Sequence, residues 1–220
     1  KYMLGLSATP YRRDGLTKLI FAYLGDRVFQ VDPAKLRQSG AVLPPEVVRP
    51  ETTFRYAYQD DYQAMLKALT EDRLRNSQIA HDVIEEAYKG RGTCLVVSDR
   101  VDHCLTLAKF CEDRTQEHIE CRVLVGSMSK HEREQVVKDV QAGEVDVLIS
   151  TTQLIGEGFD CSGLSSLFLT TPIKFKGRLL QVIGRILRPG DGKRPVVFDY
   201  VDTHQPVFAH AGVDERGATA

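Results

Sequence analysis

Residues 121–150 read CRVLVGSMSKHEREQVVKDVQAGEVDVLIS, and this stretch decides the fold. Cys121–Val125 is a short apolar run that predicts a strand. Ser129, with Glu132 three residues on, has the spacing of a capping box, in which hydroxyl and carboxylate close the first turn of a helix. That helix runs to about Gln141, and Val145–Ser150 is a second apolar run. Strand, amphipathic helix and strand so close together make a right-handed crossover unit with parallel strands.

The same alternation extends outward. Cys94–Val97 predicts a strand, followed by a helix that Asp99 or Asp102 could cap and that runs to about Cys111. Ser165–Thr170 predicts another strand, Gly177–Leu187 a helix, and Pro195–Val201 a last strand. Apolar strands alternating with helices predict an α/β fold, a parallel sheet with helices on both faces. Upstream, residues 60–88 read as one or two helices, with Ile79, Val83, Ile84 and Ala87 at helical spacing and Gly90 and Gly92 as the stop. Residues 16–58 are less regular. They hold a helical stretch near Leu16–Leu24, a short strand Val28–Val31, and an irregular β-rich connector with Pro33, Pro44, Pro45 and Pro50. Tyr2–Leu6 reads as a short strand. There is no internal repeat.

The chain has 220 residues, 42% hydrophobic and 27% charged, which excludes disordered and collagen-like classes. No apolar run approaches the ~20 residues that span a bilayer, so no membrane partner is expected. Net charge is −1, from 29 basic and 30 acidic residues, so a global basic footprint is absent. Locally, Lys174 to Arg194 holds seven basic residues and one acid, Asp191. Five cysteines, an odd number without a C-x-x-C, suggest neither a disulfide framework nor a zinc knuckle. Cys111, His118 and Cys121 match no usual zinc spacing, and Cys104 and Cys111 fit one buried helix face, so no metal is expected. A reduced, cytoplasmic setting follows. The opening Lys-Tyr-Met-Leu-Gly-Leu-Ser is neither a signal peptide nor a natural start, and reads as cut from something longer.

In parallel sheets, ligands sit beyond the carboxyl ends of the strands. The loops there carry Ser98-Asp99-Arg100, then Gly126-Ser127-Met128-Ser129, then Ser150-Thr151-Thr152 leading to Gly158-Phe159-Asp160. Hydroxyls and free N–H groups at helix starts suit phosphate. Helix capping explains Ser129 fully, and a turn with an Asx cap would explain Gly158 and Asp160. Gln181, Gly184, Arg185 and Arg188 share one helix face. Two guanidiniums on a face repel unless an anion lies between them, and a polyphosphate matches their forks.

These pieces, in this order, resemble the second RecA-like domain of superfamily 2 helicases and translocases. Leu6-Ser7-Ala8-Thr9-Pro10 resembles motif III, Cys94–Arg100 motif IV, Val125–Ser129 motif IVa, Ser150–Asp160 motif V, and Gln181-x-x-Gly184-Arg185-x-x-Arg188 motif VI. Gly5 to Leu16 and Phe198-Asp199-Tyr200-Val201-Asp202 are most similar to the branch that holds type III restriction-enzyme motors and UvsW-like and XPB-like DNA helicases. The resemblance implies that Arg188 is an arginine finger, Arg185 a second γ-phosphate contact, and Gln181 a link from motif VI to the nucleotide. It implies that Gly158 and Asp160 meet the nucleotide, and that Ser98, Arg100, Gly126, Ser127 and Thr152 hold a nucleic-acid backbone. Ser7 and Thr9 would couple hydrolysis to domain motion. Glu157 departs from the pattern, since relatives often have arginine there.

No G-x-x-x-x-G-K-[ST] and no magnesium-binding Asp-Glu box occur. Both belong to the first RecA-like domain. The expected organisation is residues 1–15 as the tail of that domain, 16–92 as connector and helices, and 93–220 as the core of the second. ATP and Mg2+ are expected cofactors of the whole enzyme, with neither binding tightly to this piece. The expected partners are nucleic acid, DNA ahead of RNA, and the missing first domain. The rival readings are a non-enzymatic RecA-like module that binds nucleic acid or protein, an RNA helicase domain, and a small-molecule nucleotide enzyme. The last lacks a catalytic His/Asp/Cys set in the loops.

Overall fold

A computed structural model describes residues 3–7, 15–32, 35, 39, 43, 45–115, 118–156, 163–172 and 194–205. After a first helix α1 (Thr17–Leu24), the elements follow as β1 (Glu46–Val48), α2 (Tyr62–Glu71), α3 (Arg73–Ala87), β2 (Thr93–Ser98) and α4 (Val101–Glu112). Then come β3 (Cys121–Leu124), α5 (Lys130–Ala142), β4 (Val147–Thr151), the short α6 (Thr152–Gly156), β5 (Leu164–Leu169) and β6 (Val196–Asp199). The six strands form one sheet in the order β1-β6-β5-β2-β4-β3. Every pairing is parallel. Among the described residues, no helix is long and apolar enough to cross a membrane.

The central strands are apolar because both faces are covered, whereas the edge strands β1 and β3 each keep an exposed charged residue, Glu46 and Arg122. All six residues of β2 are buried, and its side chains alternate between two clusters. Cys94 and Val96 point to the face where Ile79, Val83 and Ile84 of α3 and Leu107 and Cys111 of α4 pack. Leu95 and Val97 point to the other, with Val136 and Val140 of α5 and Ile155 of α6. A smaller cluster joins Phe54 to Met65, Leu66 and Leu69 of α2.

The helix ends obey local chemistry. The capping box of α5 forms as read: Glu132 N–H donates to Ser129 Oγ at 3.3 Å, and Ser129 N–H donates to Glu132 Oε2 at 2.7 Å. Gly143 closes the helix in the left-handed region at φ 77°, a backbone conformation that strains any residue with a Cβ. The expected cap of α4 is corrected. Its N-cap is Arg100, which makes no side-chain cap bond, and Asp102 lies in the first turn. Two expected strands are also absent, since residues 3–7 and 28–31 are not extended pairs. No residue of α1 is buried. Residues 60–88 resolve into two helices, each started by an aspartate: Asp61 accepts from Gln63 and Ala64 N–H, and Asp72 from Arg75 N–H. The expected helix Gly177–Leu187 lies outside the described residues.

The connector reaches the sheet. β1 pairs with β6 from Glu46↔Val196 to Val48↔Phe198. Beyond it, Thr52 N–H donates to Val201 O at 3.0 Å. Its hydroxyl donates to Asp202 Oδ1 at 2.6 Å, and Asp202 also holds the buried guanidinium of Arg75 through Nε at 2.8 Å and Nη2 at 3.4 Å. Arg75 Nη1 donates to Thr170 O at 2.8 Å. Arg75 is 2% exposed and Asp202 5%, so removing either partner strands a charge away from water. Arg75→Ala and Asp202→Ala are each expected to cost about 3–5 kcal/mol, read by equilibrium urea denaturation. A loss under about 1 kcal/mol would show that water reaches the survivor.

Candidate functional site

The sheet has a switch point. From β2 the chain goes through α4 to β3, on one side. From β5 it goes to β6, on the other side. β2 and β5 are neighbours, and ligand sites lie where connections of adjacent parallel strands diverge, outside the carboxyl ends. Here the two strand exits are tied together. Thr170 N–H and Oγ1 both donate to Val97 O, at 3.1 and 2.8 Å, and Asp99 N–H donates to Thr171 Oγ1 at 2.9 Å.

The expected strand-contacting residues gather on this edge, at the ends of β2, β3 and β4, but their exposure differs. Arg100, Gly126 and Ser127 are exposed. The Arg100 guanidinium also donates to Gln63 Oε1 of α2. Ser98 and Thr152 are both 0% exposed. Ser98 Oγ is engaged inside the protein, 3.0 Å from His103 Nδ1, and accepts from Arg100 N–H at 3.1 Å. Thr152 Oγ1 is buried without a hydrogen-bond partner, which among the described residues is true of one other side-chain atom, Arg133 Nε. Such orphans are rare, since an unpaired buried hydroxyl costs about 1–3 kcal/mol. Ser150 is occupied, its hydroxyl donating to Leu124 O at 2.6 Å. Ser7 is exposed. Thr9, Gly158, Asp160, Gln181, Arg185 and Arg188 lie outside the described residues.

Sequence reading missed the polar core behind this edge. Asn76 and His103, both 1% exposed, meet at 2.9 Å between Oδ1 and Nε2, and Asn76 Nδ2 donates to Thr70 O at 2.9 Å. Burial, with the Arg75 guanidinium nearby, pushes the His103 imidazole down to about 3. The signal was available: Asn76 and His103 stand among apolar positions of inward helix faces, and a polar residue there needs partners. Burial pushes the thiols of Cys94, Cys104, Cys111 and Cys121 up to about 12. At neutral pH they are protonated and suited to packing, not to nucleophilic attack.

Comparison with known proteins agrees with this architecture. The profile of the helicase conserved C-terminal domain matches residues 77–190. A protein of Sulfolobus islandicus filamentous virus that carries the name helicase 22 is 29% identical over 219 residues, covering 91% of this chain and 38% of that one. Among solved structures, a fragment of an HsdR subunit of a type I restriction enzyme from Vibrio vulnificus YJ016 superposes with a TM-score of 0.72 at 18% identity, over 97% of this chain and 41% of that one. A Leu-to-Val variant of S. cerevisiae Dbp5, bound to RNA and ADP BeF3, gives 0.62 at 13% identity, over 96% of this chain and 48% of that one. These two share the fold. The chain spans less than half the length of the curated relatives it matches.

The lowered proton affinity of His103 makes stability depend on pH. Above its ordinary value of 6.5, neither the folded nor the unfolded chain binds a proton there, and the effect vanishes. Below it, the unfolded chain takes up a proton that the folded chain refuses until about pH 3. Stability therefore falls as pH falls through that window, by about 2 kcal/mol at pH 5. His103→Gln should abolish that part of the acid slope between pH 7 and 5, measured by urea denaturation. An unchanged slope would place the proton uptake on other groups.

Proposed function

The chain belongs to the helicase conserved C-terminal domain family, and from that premise we propose that it is the second motor domain of an ATP-dependent nucleic-acid helicase or translocase, acting on DNA ahead of RNA. One observation carries the strand-binding half of this reading. Arg100, the Gly126-Ser127 turn and the orphan hydroxyl of Thr152 share one carboxyl edge, at the ends of three neighbouring strands. An exposed cation, a turn with a free hydroxyl and an unpaired buried hydroxyl suit phosphate groups better than base edges. The expected contact is therefore to the backbone, with little sequence preference.

The domain boundaries in this proposal follow the order of the motifs, with residues 16–92 as connector and helices leading into the second domain. Residues 1–15 are the tail of the first RecA-like domain, and residues 93–220 form the core of the second. The connector joins that second body at β1. Residues 3–7 expose Met3, Leu4 and Leu6, which suits a segment whose proper neighbours are in the first domain.

ATP with Mg2+ would supply the phosphoryl group whose transfer to water drives the motor. In this reading Arg185 and Arg188 approach it from the second domain when the cleft closes, and neutralise charge on the γ-phosphate. Gln181 orients the same face, and Gly158 and Asp160 meet the nucleotide. Ser7 and Thr9 pass closure on to the strand-binding edge.

DNA is placed ahead of RNA on the similarity of the motifs to DNA helicases. The RNA reading is kept because the Dbp5 structure that shares the fold holds RNA. Binding of labelled single strands of DNA and RNA, in unrelated sequences, decides between them.

The 220-residue chain alone should not turn over ATP, because it has no phosphate-binding loop and no magnesium carboxylates. In the full-length protein, Arg188→Ala should lower kcat about a hundredfold or more with little loss of stability. Arg185→Ala should mainly lower turnover, whereas Thr152→Ala should mainly weaken strand binding, read by fluorescence anisotropy at two salt concentrations. The reverse pattern would exchange the two faces, and a near-normal kcat for Arg188→Ala would make that arginine structural.

A further inference from the structure

The resemblance to helicases casts Ser98 as a strand contact, yet its hydroxyl is buried and its one proton is committed inside the protein. The hydrogen bonds behind it fix one another in a single direction. A carbonyl oxygen can only accept, so Thr70 O fixes the Asn76 amide with Nδ2 toward it, at 2.9 Å. Asn76 Oδ1 is thereby the atom that faces His103, and Nε2 must donate to it, at 2.9 Å. A neutral imidazole with its proton on Nε2 has a bare Nδ1. That nitrogen accepts from Ser98 Oγ at 3.0 Å. With its own proton committed, Ser98 Oγ turns a lone pair to Arg100 N–H, at 3.1 Å.

The chain of bonds thus runs from the end of α2, through α3 and α4, to the backbone of Arg100, with no alternative arrangement that keeps every group paired. Arg100 is held in extended geometry, φ −126° and ψ 128°, at the N-cap of α4. The residue before it is held from the other side, by Thr171 at the exit of β5. What emerges from this clamp is an exposed guanidinium on the carboxyl edge of the sheet.

We propose that Asn76, His103 and Ser98 are positioning residues for strand binding: they set the backbone at Arg100 and so aim its guanidinium at a nucleic-acid phosphate, and Ser98 acts through Arg100 without touching the strand. This rests on the strand-binding reading of the edge given above, and assigns within it which residues touch phosphate and which only hold the one that does.

A direct strand contact and a positioning role differ in how their losses combine. Two independent contacts lose affinity additively, whereas a residue that acts only through Arg100 has nothing left to lose once that side chain is gone. The experiment measures the affinity of the full-length protein for a fluorescein-labelled single-stranded oligonucleotide, by anisotropy. The variants are Arg100→Ala, Ser98→Ala, His103→Ala, and each of the last two combined with Arg100→Ala.

Arg100→Ala should weaken binding about tenfold, as loss of one charge-assisted bond to phosphate would. Ser98→Ala and His103→Ala should each weaken it about three- to fivefold, and neither should weaken it further in the Arg100→Ala background. The amide hydrogen of Arg100 should exchange faster in Ser98→Ala, because its acceptor is gone. Melting curves identify variants that fail to fold. His103→Ala opens the core, but Ser98→Ala removes a single oxygen and keeps the test decisive.

Wild-type affinity of folded Ser98→Ala beside a weakened Arg100→Ala would overturn the inference. So would full additivity of Ser98→Ala with Arg100→Ala, which would return Ser98 to direct contact. Wild-type affinity of Arg100→Ala would instead overturn the strand-binding reading of this loop, and the inference with it.

Discussion

The structure hangs on a buried cation. Arg75, at 2% exposure, cannot keep its charge in the interior without acceptors. Its acceptors come from two strand exits, Thr170 O after β5 and the Asp202 carboxylate after β6. Tyr200 lies 5.8 Å from the guanidinium by its ring centroid. Because Arg75 sits in the first turn of α3, these bonds fix how far along the sheet that helix lies. The other end of α3 is fixed in the same way with the sign reversed. Glu86, 2% exposed, accepts from Ser166 Oγ of β5 at 2.7 Å and from Lys89 at 2.7 Å. Burial alone would push its carboxyl up, but the bonds from Lys89, Ser166 and Arg91 outweigh that and hold it below its ordinary range.

Apolar contact alone would leave α3 free to slide. Ile79, Val83 and Ile84 give α3 its apolar face, and non-directional burial selects a register less sharply than a charge that must meet its acceptors. Two charged anchors at opposite ends of the helix admit only one. The same anchor at Arg75 joins the connector to the sheet, since the Asp202 oxygen that takes its Nε also takes the hydroxyl of Thr52. The α3 helix, the exits of β5 and β6, and the approach from β1 are therefore one unit, and the loop that carries Arg100 is braced against it through Asn76.

Much of this was legible in the sequence, and what was not has a physical reason. Strands β2 to β6 were readable from short, mostly apolar runs, although Arg122 is exposed in the edge strand β3 and β5 contains Ser165 and Ser166, and the α5 start from the capping-box spacing of Ser129 and Glu132. β1 was readable only as part of a β-rich connector, without its position or partner. Glu46–Val48 is a three-residue edge strand beside prolines, and its existence depends on β6, some 150 residues away in sequence, offering a parallel edge. The α4 cap was misjudged because Asp99 was read for its side chain, while its backbone N–H was already claimed by Thr171 from across the sheet. Local rules could place hydroxyls on the edge. They could not say which would face a ligand, because that depends on partners contributed by α3.

Ser98 and Thr152 make the point. Both are hydroxyl residues at the ends of adjacent strands, both are fully buried, and the sequence offers no reason to treat them differently. Their surroundings do. Ser98 has His103 on one side and Arg100 N–H on the other, so its donor and one acceptor site are both satisfied by the protein. A phosphate oxygen can only accept, so it would have to take the proton already given to His103, and would gain little. Thr152 Oγ1 has no such partner, so folding has paid its desolvation without return, and a ligand oxygen or N–H that reached it would recover about 1–3 kcal/mol. An unpaired group held in place by its neighbours is preorganised in a way that a paired one is not. On one sheet edge, therefore, the satisfied hydroxyl holds the scaffold, and the unsatisfied one is the better candidate to meet what binds there.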